Sequence, residues 1–504
     1  KMAKELLEHG KTRVTDFYSQ TLTHSSGKQS ISADRILKGF VRYVMTDELN
    51  KNQKGTCGPR PDLSQFDSTL VADPIDHLAA ALPIKAKTSQ GYWIRVWIPE
   101  DAISGNYSSD VLIKNNHEVI GKLKLTVQVQ QRTLPQPDQW AFHLDLWQNP
   151  FAVARYHQVP LWSEEHFRIL KTELQPYTEA GGKVITVPIM HHPWGGQTYD
   201  PYETMITWVR KIDGSWWFDY TIFDKWVEFM MDMGVKKEIG CYSMIPWKLS
   251  FLYFDQATNS MKELKSKPGE QAYHDLWLSM LKDFATHLKS KGWFDITHIA
   301  MDERPMPDML KALKIIREAD PDFKVSLAGS LHKELSDELN DYCIAIAEKF
   351  SEEMKAKRKA EGKITTYYTC CAESHPNTYT FSNPAEGAWI AWYAAKENLD
   401  GYLRWALNSW TIEPLLDSRF YTWGAGDTYL LYPGGRTCLR FENLVAGIQA
   451  YEKIRILKTE LQTQNKTATL RKLERVLESF DELQLLKTPA NVVVEKANLF
   501  INGL

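Results

Sequence analysis

The alternation of short strand-like runs with amphipathic helices is the feature of this sequence that most limits its fold. Between residues 140 and 410, eight runs rich in β-branched and aromatic residues each last six to ten residues. They occupy residues 140–147, 183–190, 238–245, 296–303, 324–330, 341–346, 364–371 and 401–410. Between them, residues 163–181, 220–234, 272–292, 307–320 and 351–363 carry apolar side chains at helical spacing. Eight strands alternating with helices predict a (β/α)8 barrel of the TIM type.

An open, doubly wound sheet is the structural alternative to the barrel. Such sheets often bind nucleotides through a glycine-rich loop, and no GxGxxG or Walker-type loop follows any of these strands. We therefore predict a (β/α)8 barrel over residues 138–455.

The flanking regions have other patterns. Residues 1–137 begin with a short helical segment and continue with period-two alternation at 91–100 and a hairpin around Asn115, which predicts an accessory β-sandwich. A proline-rich linker follows at 132–140. Residues 437–462 and 466–486 predict two further helices, and 491–503 predict a strand or hairpin that ends a C-terminal segment of residues 456–504. The predicted fold class is therefore α/β and β multidomain.

Composition excludes several classes of partner. The 60 basic and 63 acidic residues are scattered along the chain, so a nucleic-acid partner is not expected. No apolar run reaches the roughly 18 to 20 residues that a membrane span needs. The opening "KMAKELLEHGK" has no apolar core of a signal peptide. The six cysteines have no CxxC spacing, so neither a zinc cluster nor a disulfide framework is predicted.

Tryptophan is the residue type in unusual supply, with 18 in the chain. Most of them are expected in the core, where aromatic side chains normally lie. Indole faces also stack on the C–H face of sugar rings, so the surplus favours a carbohydrate ligand.

Asp302 and Glu303 are adjacent carboxylates at the end of the fourth predicted strand, just before a helix. At a helix N-terminus negative charge is stabilised by about 0.3–1 kcal/mol, which is a purely structural reason for the pair. In a barrel, however, active sites lie at the carboxyl ends of the strands, and this position favours catalysis.

Adjacency suits one kind of glycoside chemistry. Neighbours on a regular strand point to opposite faces, whereas two carboxylates that flank one glycosidic bond need about 5–5.5 Å or more between them. In substrate-assisted catalysis the sugar's own 2-acetamido oxygen attacks the anomeric carbon. The protein then needs one carboxylate to hold the acetamido N–H and one acid to protonate the leaving oxygen.

Several stretches resemble glycoside hydrolase family 123, the bacterial β-N-acetylgalactosaminidases. They are "IAMDERP" (299–305), the long segment 367–410, "DTYLLYPGG" (427–435), "LRFENLVAGIQAYEKI" (439–454) and the sandwich-like segment 91–113. The resemblance implies a β-sandwich followed by a barrel, an exo-acting retaining hydrolase and neither metal nor other cofactor. It implies a terminal β-linked GalNAc on an oligosaccharide or glycolipid headgroup as substrate, and periplasmic or secreted localisation in a bacterium.

The same resemblance assigns roles to the two acids. Asp302 would orient and polarise the acetamido group, and Glu303 would act first as general acid and then as general base. Arg304 stands between the pair and Pro305, where relatives are expected to have proline directly after the acids. Burial of Glu303 is expected to raise the pKa of its carboxyl group.

Other candidates for substrate contact follow the last two predicted strands. Tyr367 or Tyr368 could donate a hydroxyl to the acetamido oxygen, although only one of them can point inward. Trp405 could form the floor of the site, with Trp410 and Trp423 as alternatives. The remaining candidates for hydroxyl contacts are Asn408, Asp427 and Tyr432.

His191 and His192 invite a metal interpretation. Adjacent histidines do not normally share a face, and no carboxylate or cysteine stands at ligand spacing, so a substrate-facing or internally bonded histidine is predicted instead. Two alternatives to the β-N-acetylgalactosaminidase remain open, a β-N-acetylglucosaminidase and a non-catalytic glycan-binding protein of the same fold. The sequence leaves the oligomeric state open.

Overall fold

The computed structural model describes residues 13–47, 57, 68–85, 87–115, 117–420 and 422–504. Two sheets that pack on each other come first along the chain, and a parallel barrel with surrounding helices follows. The predicted helical start falls within residues 1–12, outside the described residues. No helix in the described ranges is both long and apolar enough to cross a membrane.

The N-terminal region is a two-sheet sandwich. One sheet has the order β3-β2-β8-β1-β6, with β9 paired to β8, and the other has the order β5-β4-β7. The strands are β1 Arg13–Ser19, β2 Leu22–His24, β3 Ser30–Ile31, β4 Ile36–Thr46, β5 Thr69–Asp76, β6 Leu82–Ile84, β7 Tyr92–Val96, β8 Gly105–Asn115 and β9 Glu118–Val129. Phe17 of the first sheet meets Phe40 and Tyr92 of the second, with ring centroids 5.3 and 4.6 Å away. The predicted sandwich is therefore confirmed.

Eight parallel strands form the second sheet, in the order β10-β21-β20-β19-β18-β17-β14-β11. They are β10 His143–Leu146, β11 Val184–Pro188, β14 Glu238–Tyr242, β17 Thr297–Met301, β18 Lys324–Gly329, β19 Asp341–Ala345, β20 Ile364–Tyr368 and β21 Gly401–Arg404. The first and last members of this order meet where the Lys183 N–H donates to the Leu144 carbonyl at 2.9 Å. The sheet is thus a nearly closed barrel, as the alternation of strands and helices predicts.

Helices surround this barrel, and all of them except α1 and α7 lie at predicted places. They are α1 Pro150–His157, α2 Glu164–Glu179, α3 Thr221–Asp232, α4 Gln271–Lys291, α5 Met306–Ala319, α6 Glu352–Ala360, α7 Glu386–Glu397 and α8 Leu439–Thr463. Serine caps explain two of the starts, because Ser163 accepts from the His166 N–H and Ser351 accepts from the Met354 N–H. A four-stranded sheet, β12 Thr207–Arg210, β13 Trp216–Asp219, β15 Ser250–Asp255 and β16 Ser260–Lys265, is inserted after the second and third barrel strands.

Three sequence predictions need correction. Residues 491–503 are not a strand but part of helix α11, Ala490–Asn502, whose apolar residues Val494, Ala497 and Ile501 recur at helical spacing and are buried. The predicted helix 466–486 is divided into α9 Thr467–Leu477 and α10 Glu482–Leu485, because Asp481 caps a new start. The last barrel strand ends at Arg404 rather than continuing to residue 410.

A disulfide joins Cys57 to Cys371, with Cα atoms 5.0 Å apart and 314 residues between the partners. Cysteine spacing did not indicate it, because only the tertiary structure brings positions so distant in sequence together. Cys241, Cys343, Cys370 and Cys438 are free.

Arg358 of α6 is a buried guanidinium that stabilises the entry to two barrel strands. It donates to the carbonyls of Ser336 and Leu339 at 2.9 and 3.0 Å and to the Thr365 hydroxyl at 3.0 Å. Its loss would leave these acceptors buried without a donor.

Replacement of Arg358 by leucine should therefore lower the free energy of unfolding by about 3 kcal/mol or more, since each buried unsatisfied acceptor costs about 1–3 kcal/mol. Thermal denaturation followed by circular dichroism measures the change. Arg168→Leu is the matched control, because Arg168 pairs with Glu165 on an exposed helix face and its loss should leave the melting temperature unchanged. Equal melting temperatures for the two variants would contradict the assigned role of Arg358.

Candidate active site

A pocket lies at the carboxyl ends of the barrel strands and has a volume of about 610 Å³ including its open mouth. Both acids of the candidate pair line it, and aromatic side chains make up much of the wall. The lining residues are Trp147, Trp194, Gln197, Trp247, Asp302, Glu303, Ala328, Tyr368, Cys370, Cys371, Leu403, Trp405, Trp423 and Asp427. A larger groove beside α9 and α11 has a single carboxylate in its lining, Glu478, and lies away from the strand ends. The barrel pocket is therefore the candidate active site.

Asp302 and Glu303 lie in the short connection between β17, which ends at Met301, and α5, which begins at Met306. The alternation of side chains along a strand does not apply there, so neighbours can face the same pocket. This placement explains how adjacent carboxylates reach one ligand.

Hydrogen bonds fix the carboxylate of Asp302 on both oxygens. The Trp247 indole N–H donates to Oδ2 at 2.9 Å, and the backbone N–H of Glu303 donates to Oδ1 at 2.8 Å. Burial and the neighbouring Glu303 charge raise the pKa of Asp302 to about 6, while the Trp247 hydrogen bond acts in the opposite direction. Asp302 is therefore an oriented carboxylate whose charge depends on pH near neutrality.

Glu303 accepts a hydrogen bond from the Tyr368 hydroxyl group. The residue is exposed at the mouth of the pocket, so the expected burial of Glu303 is wrong. Burial and the Glu303 charge raise the pKa of Tyr368, which keeps its proton and remains a donor. Tyr368 thus donates to the candidate acid Glu303. The sequence instead predicts a tyrosine that donates to the acetamido oxygen of the substrate.

Asp427 forms a buried ion pair with Arg404 of β21, and both side chains are at most 1 % exposed. The Trp405 indole nitrogen lies 3.4 Å from Asp427 Oδ1, while Oδ2 has no hydrogen-bond partner in the described structure. Burial raises the pKa of Asp427, and the Arg404 charge opposes this effect. Oδ2 is therefore a buried acceptor without a donor, on a residue that lines the pocket.

Two pairs of indole rings form part of the wall. Trp405 and Trp423 meet edge to face with centroids 5.7 Å apart, and Trp147 stacks on Trp194 at 4.7 Å. Trp405 and Trp423 are half-buried, so part of each ring is accessible to a ligand. Such rings suit contact with the apolar face of a pyranose.

Two predicted substrate contacts lie outside the pocket. Tyr367 alternates with Tyr368 on β20, and its hydroxyl donates to the Ile390 carbonyl of α7 at 2.8 Å, so it packs between barrel and helix. Asn408 is buried and bonds the backbone N–H of Asn149 at 2.8 Å and its carbonyl at 3.1 Å. Trp410 and Tyr432 are also buried, donating to the Leu431 carbonyl and to Asp73.

Among the pocket residues that sequence reasoning did not single out are the aromatic and amide side chains of Trp147, Trp194, Gln197 and Trp247. Each of them follows the end of one of the first three strands, β10, β11 or β14. Aromatic or amide residues just past a strand end were a usable signal, because every such position in a barrel faces the same rim.

Two groups of side chains could hold a cation. His191 and His192 do share a face, contrary to the sequence prediction, because the φ of His192 is +48°. Their rings stack at 3.5 Å, and each has a nitrogen 3.2 Å from the Glu203 carboxylate. Stacked rings cannot both direct an in-plane lone pair at one ion. This cluster therefore consists of two histidines bonded to one carboxylate.

The second group lies inside the barrel and consists of His143, Glu238 and Asp341, all buried. His143 Nε2 lies 3.0 Å from Asp341, and His298 Nδ1 lies 3.0 Å from Glu238. The Asp341 charge raises the pKa of His143 to about 9 against the effect of burial. The group thus makes two close histidine–carboxylate contacts among the first residues of the strands, away from the pocket.

The chain matches two family models, one described as the glycoside hydrolase 123 N-terminal domain over residues 5–115 and the other as the glycoside hydrolase 123 catalytic domain over residues 147–457. This protein belongs to glycoside hydrolase family 123. It is therefore a glycoside hydrolase, and the resemblance seen in the sequence is confirmed.

A solved structure supports the same assignment across nearly the whole chain. It is a family 123 glycoside hydrolase from Clostridium perfringens, described in connection with glycolipid glycan hydrolysis, with 26 % identity and a TM-score of 0.86. The match covers 98 % of this chain and 90 % of that one.

More distant matches include a family 39 glycoside hydrolase from Bacteroides cellulosilyticus, at 11 % identity and a TM-score of 0.35, covering 81 % of this chain and 80 % of that one. A β-glucuronidase from Ruminococcus gnavus matches at 8 % identity and a TM-score of 0.32, covering 86 % of this chain and 67 % of that one. No curated protein matches the sequence.

The pKa of Asp302 predicts the acidic limb of the pH profile. Asp302 holds its proton below about pH 6, so activity that needs its carboxylate should rise as the pH increases through about 6. Trp247→Phe removes a hydrogen bond to the charged form. It should therefore move this limb to higher pH by about one unit.

Initial rates on an aryl glycoside from pH 4 to 9 measure the limb. Trp217→Phe is the matched control, because Trp217 is 48 % exposed on β13 and does not line the pocket. An acidic limb that stays in place in Trp247→Phe would show that Asp302 does not control it.

Proposed function

We propose that the protein is an exo-acting, retaining β-N-acetylgalactosaminidase that uses substrate-assisted catalysis. The observation that carries the proposal is the Asp302–Glu303 pair at one strand end, with Asp302 fixed by Trp247 and Glu303 bonded to Tyr368. Adjacent acids suit a reaction in which the substrate supplies the nucleophile, because they do not need to face each other across the glycosidic bond.

In the first step Asp302 accepts a hydrogen bond from the acetamido N–H. This polarises the amide, and its carbonyl oxygen attacks C1 of the sugar. The bond between C1 and the leaving oxygen breaks, and that oxygen takes the proton of Glu303. The ring-fused intermediate is oxazoline-like, and its positive charge lies close to the Asp302 carboxylate.

In the second step the Glu303 carboxylate removes a proton from water, and the oxygen of that water attacks C1. The bond between C1 and the acetamido oxygen breaks, which restores the acetamido group and leaves Glu303 protonated. Two inversions at C1 give net retention. Tyr368 keeps the Glu303 carboxyl in place through both proton transfers.

The substrate class rests on the family and on the pocket. Hydrolysis by the Clostridium perfringens relative is described for glycolipid glycans, which supports a terminal GalNAc on a glycan or a glycosphingolipid headgroup. Asp427 lines the pocket and is the candidate acceptor for a ring hydroxyl. GalNAc and GlcNAc differ at the 4-hydroxyl, so a β-N-acetylglucosaminidase is the second candidate within enzymes.

The localisation follows as a further part of the proposal. Disulfides persist in oxidising compartments, so the Cys57–Cys371 pair supports action in the periplasm or outside a bacterial cell.

Release of nitrophenol from the aryl β-GalNAc, β-GlcNAc and β-galactoside tests specificity and the two acids together. We expect turnover on β-GalNAc alone, and a loss of about 10²–10⁴-fold in kcat for Glu303→Gln and Asp302→Asn, since both groups act in the transition state. Glu318→Gln is the matched control, because Glu318 is an exposed carboxylate on α5 that is bonded to His274 of α4. GalNAc binding without turnover of any substrate would identify a glycan-binding protein instead.

Fluorination of the acetamido group tests the internal nucleophile. Each fluorine withdraws electrons from the carbonyl oxygen, so kcat should fall stepwise from the acetyl to the trifluoroacetyl substrate. A profile independent of fluorine number, measured where the chemical step limits the rate, would exclude attack by the acetamido oxygen.

A further inference from the structure

The N-terminal sandwich is bonded to the same two loops that carry the outer wall of the pocket. The first loop follows β20 and contains Cys370 and Cys371, and the second follows β21 and contains Trp405, Trp423 and Asp427. Loops that bind a ligand need a rigid support, and here much of that support comes from β4, β5 and Cys57.

The covalent part of this support is the Cys57–Cys371 disulfide. Cys371 lines the pocket, and Cys57 also forms an antiparallel backbone bridge with Trp423, which lines it too. The Trp423 indole N–H donates to the Gln197 carbonyl at 2.9 Å, and its ring packs against Trp405. A single residue of the N-terminal region thus touches both loops at the pocket.

Polar contacts from β4 continue the same support. The Thr46 and Thr380 hydroxyl groups are 2.7 Å apart, and Thr380 is 2.8 Å from the Ser418 hydroxyl group. The Ser418 N–H donates to the Met45 carbonyl at 2.9 Å. The end of β4 therefore lies between the loop after β20 and the loop after β21.

The last part of this support is a buried ion pair between Asp73 of β5 and Arg440. Asp73 accepts from the Arg440 guanidinium at 2.8 to 3.0 Å, with both side chains 1 % exposed. Arg440 also donates to the carbonyls of Gly426 and Tyr429 at 3.0 and 3.1 Å. These two carbonyls flank Asp427, so the charge of Asp73 fixes, through Arg440, the segment that places the Asp427 carboxylate.

We propose, on the basis of the function proposed above, that the N-terminal sandwich positions the sugar-binding loops, and that Cys57 and Asp73 are positioning residues for substrate binding. The two acids lie on a different connection, after β17, and Tyr368, which bonds Glu303, belongs to β20 itself and not to the loop after it. The support therefore acts on the wall and not on the proton transfers. Loss of the disulfide should therefore weaken binding of substrate and transition state alike, which raises KM and leaves kcat nearly unchanged.

Cys370 does not compete for the disulfide. It is next to Cys371 and lines the same pocket, but burial raises the pKa of its thiol to about 12, so it carries little thiolate at neutral pH. Cys57→Ser removes the disulfide without changing a residue that lines the pocket. Replacement of Cys371 would change the pocket wall itself.

The first experiment maps the disulfide without any substrate. Chain prepared by export into an oxidising compartment should show a Cys57–Cys371 peptide by mass spectrometry. It should contain four free thiols when denatured and six after reduction, since the remaining cysteines are free. Six thiols before reduction would overturn the proposal whatever the enzyme's substrate is.

The second experiment measures binding and turnover in Cys57→Ser and in the native chain with and without dithiothreitol. We expect KM for the aryl β-GalNAc, and Kd for GalNAc from tryptophan fluorescence, to rise about tenfold in the variant and in the reduced native chain, with kcat within about twofold. Dithiothreitol should have no effect on Cys57→Ser, which is the matched control.

A lower melting temperature with unchanged KM and Kd would show that the disulfide only stabilises the fold, and it would overturn the positioning role. If no aryl glycoside is hydrolysed, the proposed function fails by itself. The Kd for GalNAc and the peptide map still decide the role of the sandwich.

Discussion

Closure of the parallel barrel is the constraint on which the rest of the structure depends. Backbone hydrogen bonds between neighbouring strands from β10 to β11 bring the carboxyl ends of all eight strands to one rim. Residues far apart in sequence, such as Trp147, Trp247, Asp302 and Tyr368, become neighbours only because each of them follows or ends one of these strands. Closure therefore brings the loops after these strands together around one pocket.

The charge state of each carboxylate at this rim depends on the groups that contact it. Asp302 receives two N–H donors but no cation as a hydrogen-bond partner, so burial dominates and raises its pKa to about 6. Asp427 is paired with Arg404, and its second oxygen is buried without a hydrogen-bond partner in the described structure. Two aspartates in one pocket thus differ in their chemistry because their neighbours differ, and this difference separates a group that changes charge near neutral pH from a group held in an ion pair.

The N-terminal sandwich contacts two loops that form part of the pocket wall. The barrel supplies the acids, while the Cys57–Cys371 disulfide and the Asp73–Arg440 ion pair connect the sandwich to the loops around them. A buried ion pair is sensitive to loss of either partner, because the remaining charge would be left without compensation. This arrangement gives a physical reason for the two regions to occur in one chain.

The sequence by itself determined the eight strands, most of the helices and the place of Asp302 and Glu303, because period-two and helical spacing are local and the barrel turns strand ends into a rim. It also identified Tyr368, Trp405 and Asp427 as candidates for substrate contact, because they follow or end strands, and all three line the pocket. Tertiary structure alone decided the rest. The side-chain directions of Tyr367 and Asn408, the shared face of His191 and His192, the disulfide across 314 residues and the helix at Ala490–Asn502 depend on contacts with distant residues. A local sequence pattern does not predict such contacts, because the residues that make them become neighbours only in the folded chain.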